Sequence, residues 1–222
     1  GPTGATDTAL NLKIQYWTQR GFAVADVHYR GSTGFGKRYR DSLKGQWGVF
    51  DVEDLCAAAE ALVVKGLAHP TQKIIKGSSA GGYSVLAALT QHQTFNAGVS
   101  LYGVADLEAL AKHTHKFEAH YLDSLIGPYP EAIEVYRARS PINNMAELNC
   151  PIFVAQGTDD KVVPPEQAEM IVNAAKSRGL PVHYCLFEGE GHGFRQSDTL
   201  KQLFAKEHEF YLETFALGGE PR

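Results

Sequence analysis

Five short stretches rich in Val, Ile and Phe, at 22–28, 73–76, 97–101, 152–155 and 182–187, are for the most part continuous apolar runs instead of alternating apolar with polar. A strand of that kind has to be covered on both faces, which fits a parallel sheet between helices far better than a half-solvated antiparallel one. The intervening segments supply the cover. Val52, Leu55, Cys56, Ala59, Leu62 and Val63 recur at helical spacing, as do Ala168, Ile171, Val172 and Ala175 before Gly179. Leu10, Ile14 and Trp17 predict a helix ahead of the first strand, and Leu200, Phe204, Tyr211 and Phe215 a long one at the end. The expected fold class is α/β, a mostly parallel doubly wound sheet flanked by helices. One stretch breaks the rhythm, between Leu101 and Pro151, where Gly127-Pro128-Tyr129-Pro130 punctuates the chain. Short helices are expected there, in the position where open α/β proteins build substrate pockets.

At 222 residues the chain is sized for one domain, expected over 1–217, with 218–222 as a flexible tail. Its net charge of −4 comes with no basic block, which argues against nucleic acid as a partner. No apolar run approaches the roughly 18 residues that span a bilayer, and Gly1-Pro2-Thr3-Gly4 does not resemble a signal peptide, so no membrane partner is expected. Cys56, Cys150 and Cys185 are too few and too odd in number for a disulfide framework; free thiols and a cytoplasmic setting are expected.

The strongest local signal is the run from Lys73 to Tyr83, a strand leading through Gly77-Ser78-Ser79-Ala80-Gly81 into a helix. Gly-x-Ser-x-Gly at a strand-to-helix turn forces its central residue into a strained, exposed conformation, which selects Ser79 as a nucleophile over Ser78. The same turn brings the Ala80 N–H to a helix N-terminus, where it can face negative charge developing on a substrate oxygen. A serine at neutral pH needs a base, and the base an orienting acid. Asp159 and Asp160 follow the fourth apolar run, and His192 in Glu190-Gly191-His192-Gly193 follows the fifth. The order Ser, Asp, His is that of α/β-hydrolases.

Other readings are weaker. A structural serine, a loop histidine and a helix-capping aspartate would each explain one of these residues, though not their joint order. Gly31-Ser32-Thr33-Gly34-Phe35-Gly36-Lys37-Arg38 comes close to a phosphate-binding loop, but Arg38 stands where Ser or Thr would hold magnesium. His113, His115 and His120 are joined by no carboxylate cluster and read as solvated; no metal or other cofactor is expected. Tyr102, Val104, Leu107 and Phe117, just past a strand end, are either core or substrate-binding residues.

Together these motifs, with Tyr29-Arg30-Gly31-Ser32-Thr33-Gly34-Phe35-Gly36, Trp47-Gly48 with Asp51 and Asp54, Tyr102-Gly103-Val104, Thr114-His115-Lys116-Phe117-Glu118 and Arg139-Ser140-Pro141, resemble the catalytic domain of the prolyl oligopeptidase family of serine peptidases, nearest its acylaminoacyl-peptidase and dipeptidyl-peptidase-like branches. The resemblance covers essentially the whole chain. It implies an α/β-hydrolase fold with Ser79, Asp160 and His192 as catalytic triad, Asp160 being chosen over Asp159 because it stands three residues after Gly157. It also implies an oxyanion hole from Ala80 and Gly1, with Gly1 matching the second Gly of the family's His-Gly-Gly-Pro turn, and an apolar pocket near Tyr102 and Val104. Gly77-Ser78-Ser79 departs from the commoner Gly-Gly-Ser.

The family's central strand, which would lie between 22–28 and 73–76, has no counterpart in this sequence, nor do the strands before it or the N-terminal β-propeller expected of the natural chain. The implied function is hydrolysis of short peptides by an oligopeptidase, aminopeptidase or acylaminoacyl-peptidase. The alternatives are a carboxylesterase or lipase-like hydrolase with the same triad, and an incomplete, inactive domain that forms a homo-oligomer through unpaired strand edges.

Overall fold

The computed structural model describes residues 1–6, 8–113 and 119–217. Four strands, β1 (Ile74–Ser78), β2 (Ala97–Leu101), β3 (Ile152–Gly157) and β4 (Val182–Phe187), form a single sheet in sequence order, every pair parallel. Ile74 pairs with Ala97, Gly98 with Ile152, and Ile152 with Val182, so the four carboxyl ends line up along one rim.

The covering helices follow from the stripes. On one face α3 (Phe50–Val64), α4 (Ala80–Gln91) and α8 (Pro165–Ser177) pack Val52, Val85, Leu89, Ile171 and Val172 onto Ile75, Ile152 and Val154. Here β2 presents only Gly98 and Ser100, because α4 comes close: a Cβ on Gly98 would lie 2.3 Å from Leu89 Cδ1. On the other face α1 (Leu12–Thr18) and α9 (Ser197–Phe215) set Trp17, Leu203, Phe210 and Tyr211 against Val99, Phe153, Ala155 and Cys185. Burial of this many large apolar groups on both faces is what holds the parallel sheet, at roughly 25 cal/mol per Å² removed from water.

The connection from β2 to β3 carries α5 (Leu107–His113), α6 (Ala119–Leu125), α7 (Ile133–Arg139) and a 3₁₀ turn (Pro141–Glu147), the short helices expected there. A further short helix, α2 (Lys37–Asp41), precedes α3. It starts at the last two residues, Lys37 and Arg38, of the segment that came close to a phosphate loop.

Two expectations are corrected. Residues 22–28 form no strand: among the described residues no segment pairs with them in a ladder, and Val24 is left 42% exposed. An extended segment becomes a strand only through a neighbour's hydrogen bonds, and no described segment supplies them here. The first helix begins at Leu12, where Asn11 caps it by accepting from Lys13 N at 2.9 Å, so Leu10 lies outside it and is 77% exposed. The tail, 218–222, and the motif at 114–118 lie outside the described residues. Cys56 and Cys185 are buried and Cys150 half-buried, all three as free thiols.

Candidate active site

The nucleophile candidate stands at the end of β1. Ser79 N still donates to Leu101 O at 2.9 Å, so the ladder holds the strand up to the serine itself. There the backbone turns: Ser79 has φ 55° and ψ −118°, and α4 starts at the next residue. A side chain in this left-handed region carries steric strain, which only a well-anchored turn sustains. Gly77 is the anchor, since a Cβ there would sit 2.3 Å from Gly81 O. Ala80 is the first residue of α4, where a helix amide has no partner within the helix.

The second and third contributions come from the ends of β3 and β4. His192 Nε2 lies 2.8 Å from Ser79 Oγ, and His192 Nδ1 lies 2.8 Å from Asp160 Oδ2. Asp160 is 4% exposed, and its other oxygen accepts from Val162 N and Val163 N, each at 2.9 Å. Burial works against ionising Asp160, but the bond from His192 and the two backbone amides outweigh it and hold its carboxyl below the usual carboxylate range. Asp159, by contrast, turns to Thr158 Oγ1 and has no contact with the histidine. With Nδ1–H donating to a carboxylate, Nε2 is the free base facing Ser79.

Two features hold the histidine loop that the sequence did not single out. Glu190, only 3% exposed, accepts from Arg195 N at 3.1 Å and Gln196 N at 2.9 Å, tying the loop to the start of α9. Its burial opposes ionisation, and these amides still keep its carboxyl below the ordinary value. Gly157 lets the two loops touch: a Cβ there would lie 2.2 Å from Glu190 O, and Asp159 N donates to that same carbonyl at 2.9 Å. A glutamate two residues before a histidine and a glycine closing a strand are ordinary in sequence; only the fold reveals their work.

A cleft of about 960 Å³ opens over Ser79 and His192, with Gly1, Ala80, Trp47, Val104 and Val163 among its lining residues. Gly1 is brought there by its neighbours, since Pro2 O accepts from Tyr29 Oη at 2.5 Å and Thr3 O from Thr33 N at 2.9 Å. The expected substrate residues divide. Val104 lines the cleft. Leu107 does not: it is wholly buried in the core, where α5 starts with its N–H bonded to Ser140 Oγ. Tyr102, at φ 40°, places its ring edge-on to His192 at 5.0 Å and to Phe194 at 5.1 Å instead of lining the cleft. Phe117 lies outside the described residues. Trp47, half-exposed Tyr121, Gln167 and Met170 line the cleft without having been singled out for it. Among the described residues no group of three or more His, Cys, Asp or Glu could hold a metal ion, and no helix is long and apolar enough to cross a membrane.

Dipeptidyl peptidase family member 6 of Caenorhabditis elegans is 34% identical over 99% of this chain, and dipeptidyl aminopeptidase BIII of Pseudoxanthomonas mexicana 32% identical over 93%. A puromycin-hydrolyzing peptidase of Mycobacterium tuberculosis superposes with a TM-score of 0.95 at 47% identity, covering 100% of this chain. The chain spans about a third of each relative's length, 30%, 31% and 34% respectively. The sequence profile of the prolyl oligopeptidase family matches residues 8–218, a stretch that holds the strained serine turn, the acid loop and the histidine loop alike; the chain belongs to the prolyl oligopeptidase family.

Proposed function

We propose that this chain is the catalytic domain of a serine peptidase acting on short peptides, with Ser79, His192 and Asp160 as its triad. The observation that carries the reading is the unbroken relay of two 2.8 Å hydrogen bonds from Ser79 Oγ through His192 to Asp160. Ser79 Oγ attacks the scissile carbonyl while His192 Nε2 takes its proton. The tetrahedral oxyanion is held by Ala80 N–H together with Gly1, which also lines the cleft. His192 then returns the proton to the departing amine, leaving an acyl-enzyme, and activates the water that hydrolyses it. Asp160 keeps the imidazole in the tautomer that leaves Nε2 free and stabilises its charged form.

The mostly apolar walls, Val104, Trp47, Leu122 and Met170, suit an apolar side chain next to the scissile bond. The relatives' peptidase and puromycin-hydrolysing activities support an aminoacyl or peptidyl amide as substrate class. Three free thiols fit a reducing compartment.

The test is a fluorophosphonate probe read by intact mass, with Ser79→Ala alongside. One adduct that disappears in the variant is expected; no adduct on a folded chain overturns the reading. Turnover of an aminoacyl anilide against a short acyl ester separates peptidase from esterase action.

A further inference from the structure

The last-but-one residue of β3, Gln156, is fully buried, is not among the residues that line the cleft, and reaches Asp160 with its side chain. Its amide nitrogen faces three acceptors: Val163 O at 3.0 Å, Asp160 Oδ2 at 3.3 Å and Gly157 O at 3.4 Å. Its oxygen is equally buried and has no hydrogen-bond partner among the described residues. Turning the amide over would set Oε1 against a carboxylate and two carbonyls, so the orientation is fixed by its neighbours. A buried acceptor left unpaired is costly, and such groups persist where the rest of the side chain has a task.

We propose that Gln156 is a positioning residue for the reaction, acting through Asp160; the inference rests on the triad reading above. Asp160 Oδ1 is held by two backbone amides, whereas Oδ2 receives His192 Nδ1–H and the Gln156 amide. Gln156 therefore fixes the plane of the carboxylate, both directly and through Val163 O at the close of the 160–163 turn. It also draws electron density from the very oxygen that holds the imidazole, which tempers how tightly Asp160 retains a charged His192. The other ionisable groups nearby stand apart from this contact: Asp159 turns to Thr158, Glu190 is engaged by the 195–196 amides, and Lys161 and Glu166 lie exposed in the cleft wall.

The test is Gln156→Met, which keeps the volume and removes both the donor and the unpaired oxygen. Three readouts are expected to move together. With an anilide substrate kcat falls about tenfold while KM stays within about twofold. The acid limb of kcat/KM moves to higher pH by about half a unit, because an Oδ2 relieved of one donor holds the imidazolium more firmly. The His192 Nδ1–H proton resonance moves downfield on the folded protein, a readout that needs no turnover. A variant with the urea midpoint, kcat and acid limb of the parent overturns the proposal. So does a loss of activity that only follows the unfolded fraction, with the resonance and acid limb unmoved. If Ser79→Ala keeps its activity, the triad reading itself fails; if Ser79→Ala is inert and Gln156→Met is indistinguishable from the parent, only this inference fails.

Discussion

The serine turn and the histidine loop hold their reacting atoms by opposite means. Ser79 is aimed by backbone alone: a ladder bond to Leu101, a φ of 55° and a glycine at 77 whose missing side chain lets the strand fold back on the helix. His192 lies in a loop that contributes little geometry of its own. It is held from outside, by Asp160 at one ring nitrogen, by the ring of Tyr102, itself edge-on to Phe194, and by Glu190 pinning the loop to α9. A nucleophile can thus be specified within a few neighbouring residues, whereas a base is specified by side chains brought from other strand ends. The first should fail sharply when one atom is added; the second should fail by degrees as contacts are removed one at a time.

The largest effects should fall on the relay itself. Ser79→Ala should lower kcat by about 10⁶-fold by removing the nucleophile, and Asp160→Asn by about 10⁴-fold by favouring the wrong imidazole tautomer. Steady-state kinetics on folded protein reads this, and a loss under tenfold would break the comparison at its root. Next comes Gly77→Ala, where the new methyl meets Gly81 O and the turn has to move. Labelling by the fluorophosphonate should slow at least about 100-fold, since a shift near 1 Å at a reacting atom costs that much.

Glu190→Gln sharpens the other side. Losing charge on a buried acceptor of two amides should cost about 1–2 kcal/mol at pH 7, read by urea unfolding. The pH dependence has a definite sign. Glu190 is held below its ordinary value in the folded chain, so its stabilisation is present above the unfolded-state value of about 4.3 and is lost as pH falls through the lower folded-state value. The variant should therefore approach the parent's stability in acid; an equal gap at pH 7 and pH 3 would contradict the role. Smallest is Tyr102→Phe, which keeps the ring beside His192 and should change kcat by less than about twofold.

The same contrast explains what was legible in the sequence. The four paired strands, the helices on both faces and the serine turn are encoded by local pattern and were foreseen, though β1 starts one residue later and both β1 and β3 run two residues past their expected ends. Residues 22–28 carry a strand's composition without a strand's partner, and composition alone cannot supply hydrogen bonds. The pocket was the least legible part. Leu107 and Val104 are both apolar and three residues apart, yet one is sealed in the core and the other lines the cleft, a distinction made by where α5 starts. Tyr102 was placed near the right group for another reason: its ring steadies the imidazole and leaves the cleft wall to other residues. Glu190 could not have been found, because the partners that pin it are backbone amides, which carry no sequence signature; Gln156 reaches the Asp160 carboxylate as well as two carbonyls, and only the fold aims the one side chain at the other.

The contact of Gly157 with the carbonyl of Glu190 bears on how such a site can change over generations. Where main chain rests on main chain there is no side chain to trim when one loop lengthens or tilts. The acid-bearing and base-bearing loops are therefore a single heritable module: a graft of either one from a relative would arrive misfitted, and a graft of both together would carry its own alignment with it.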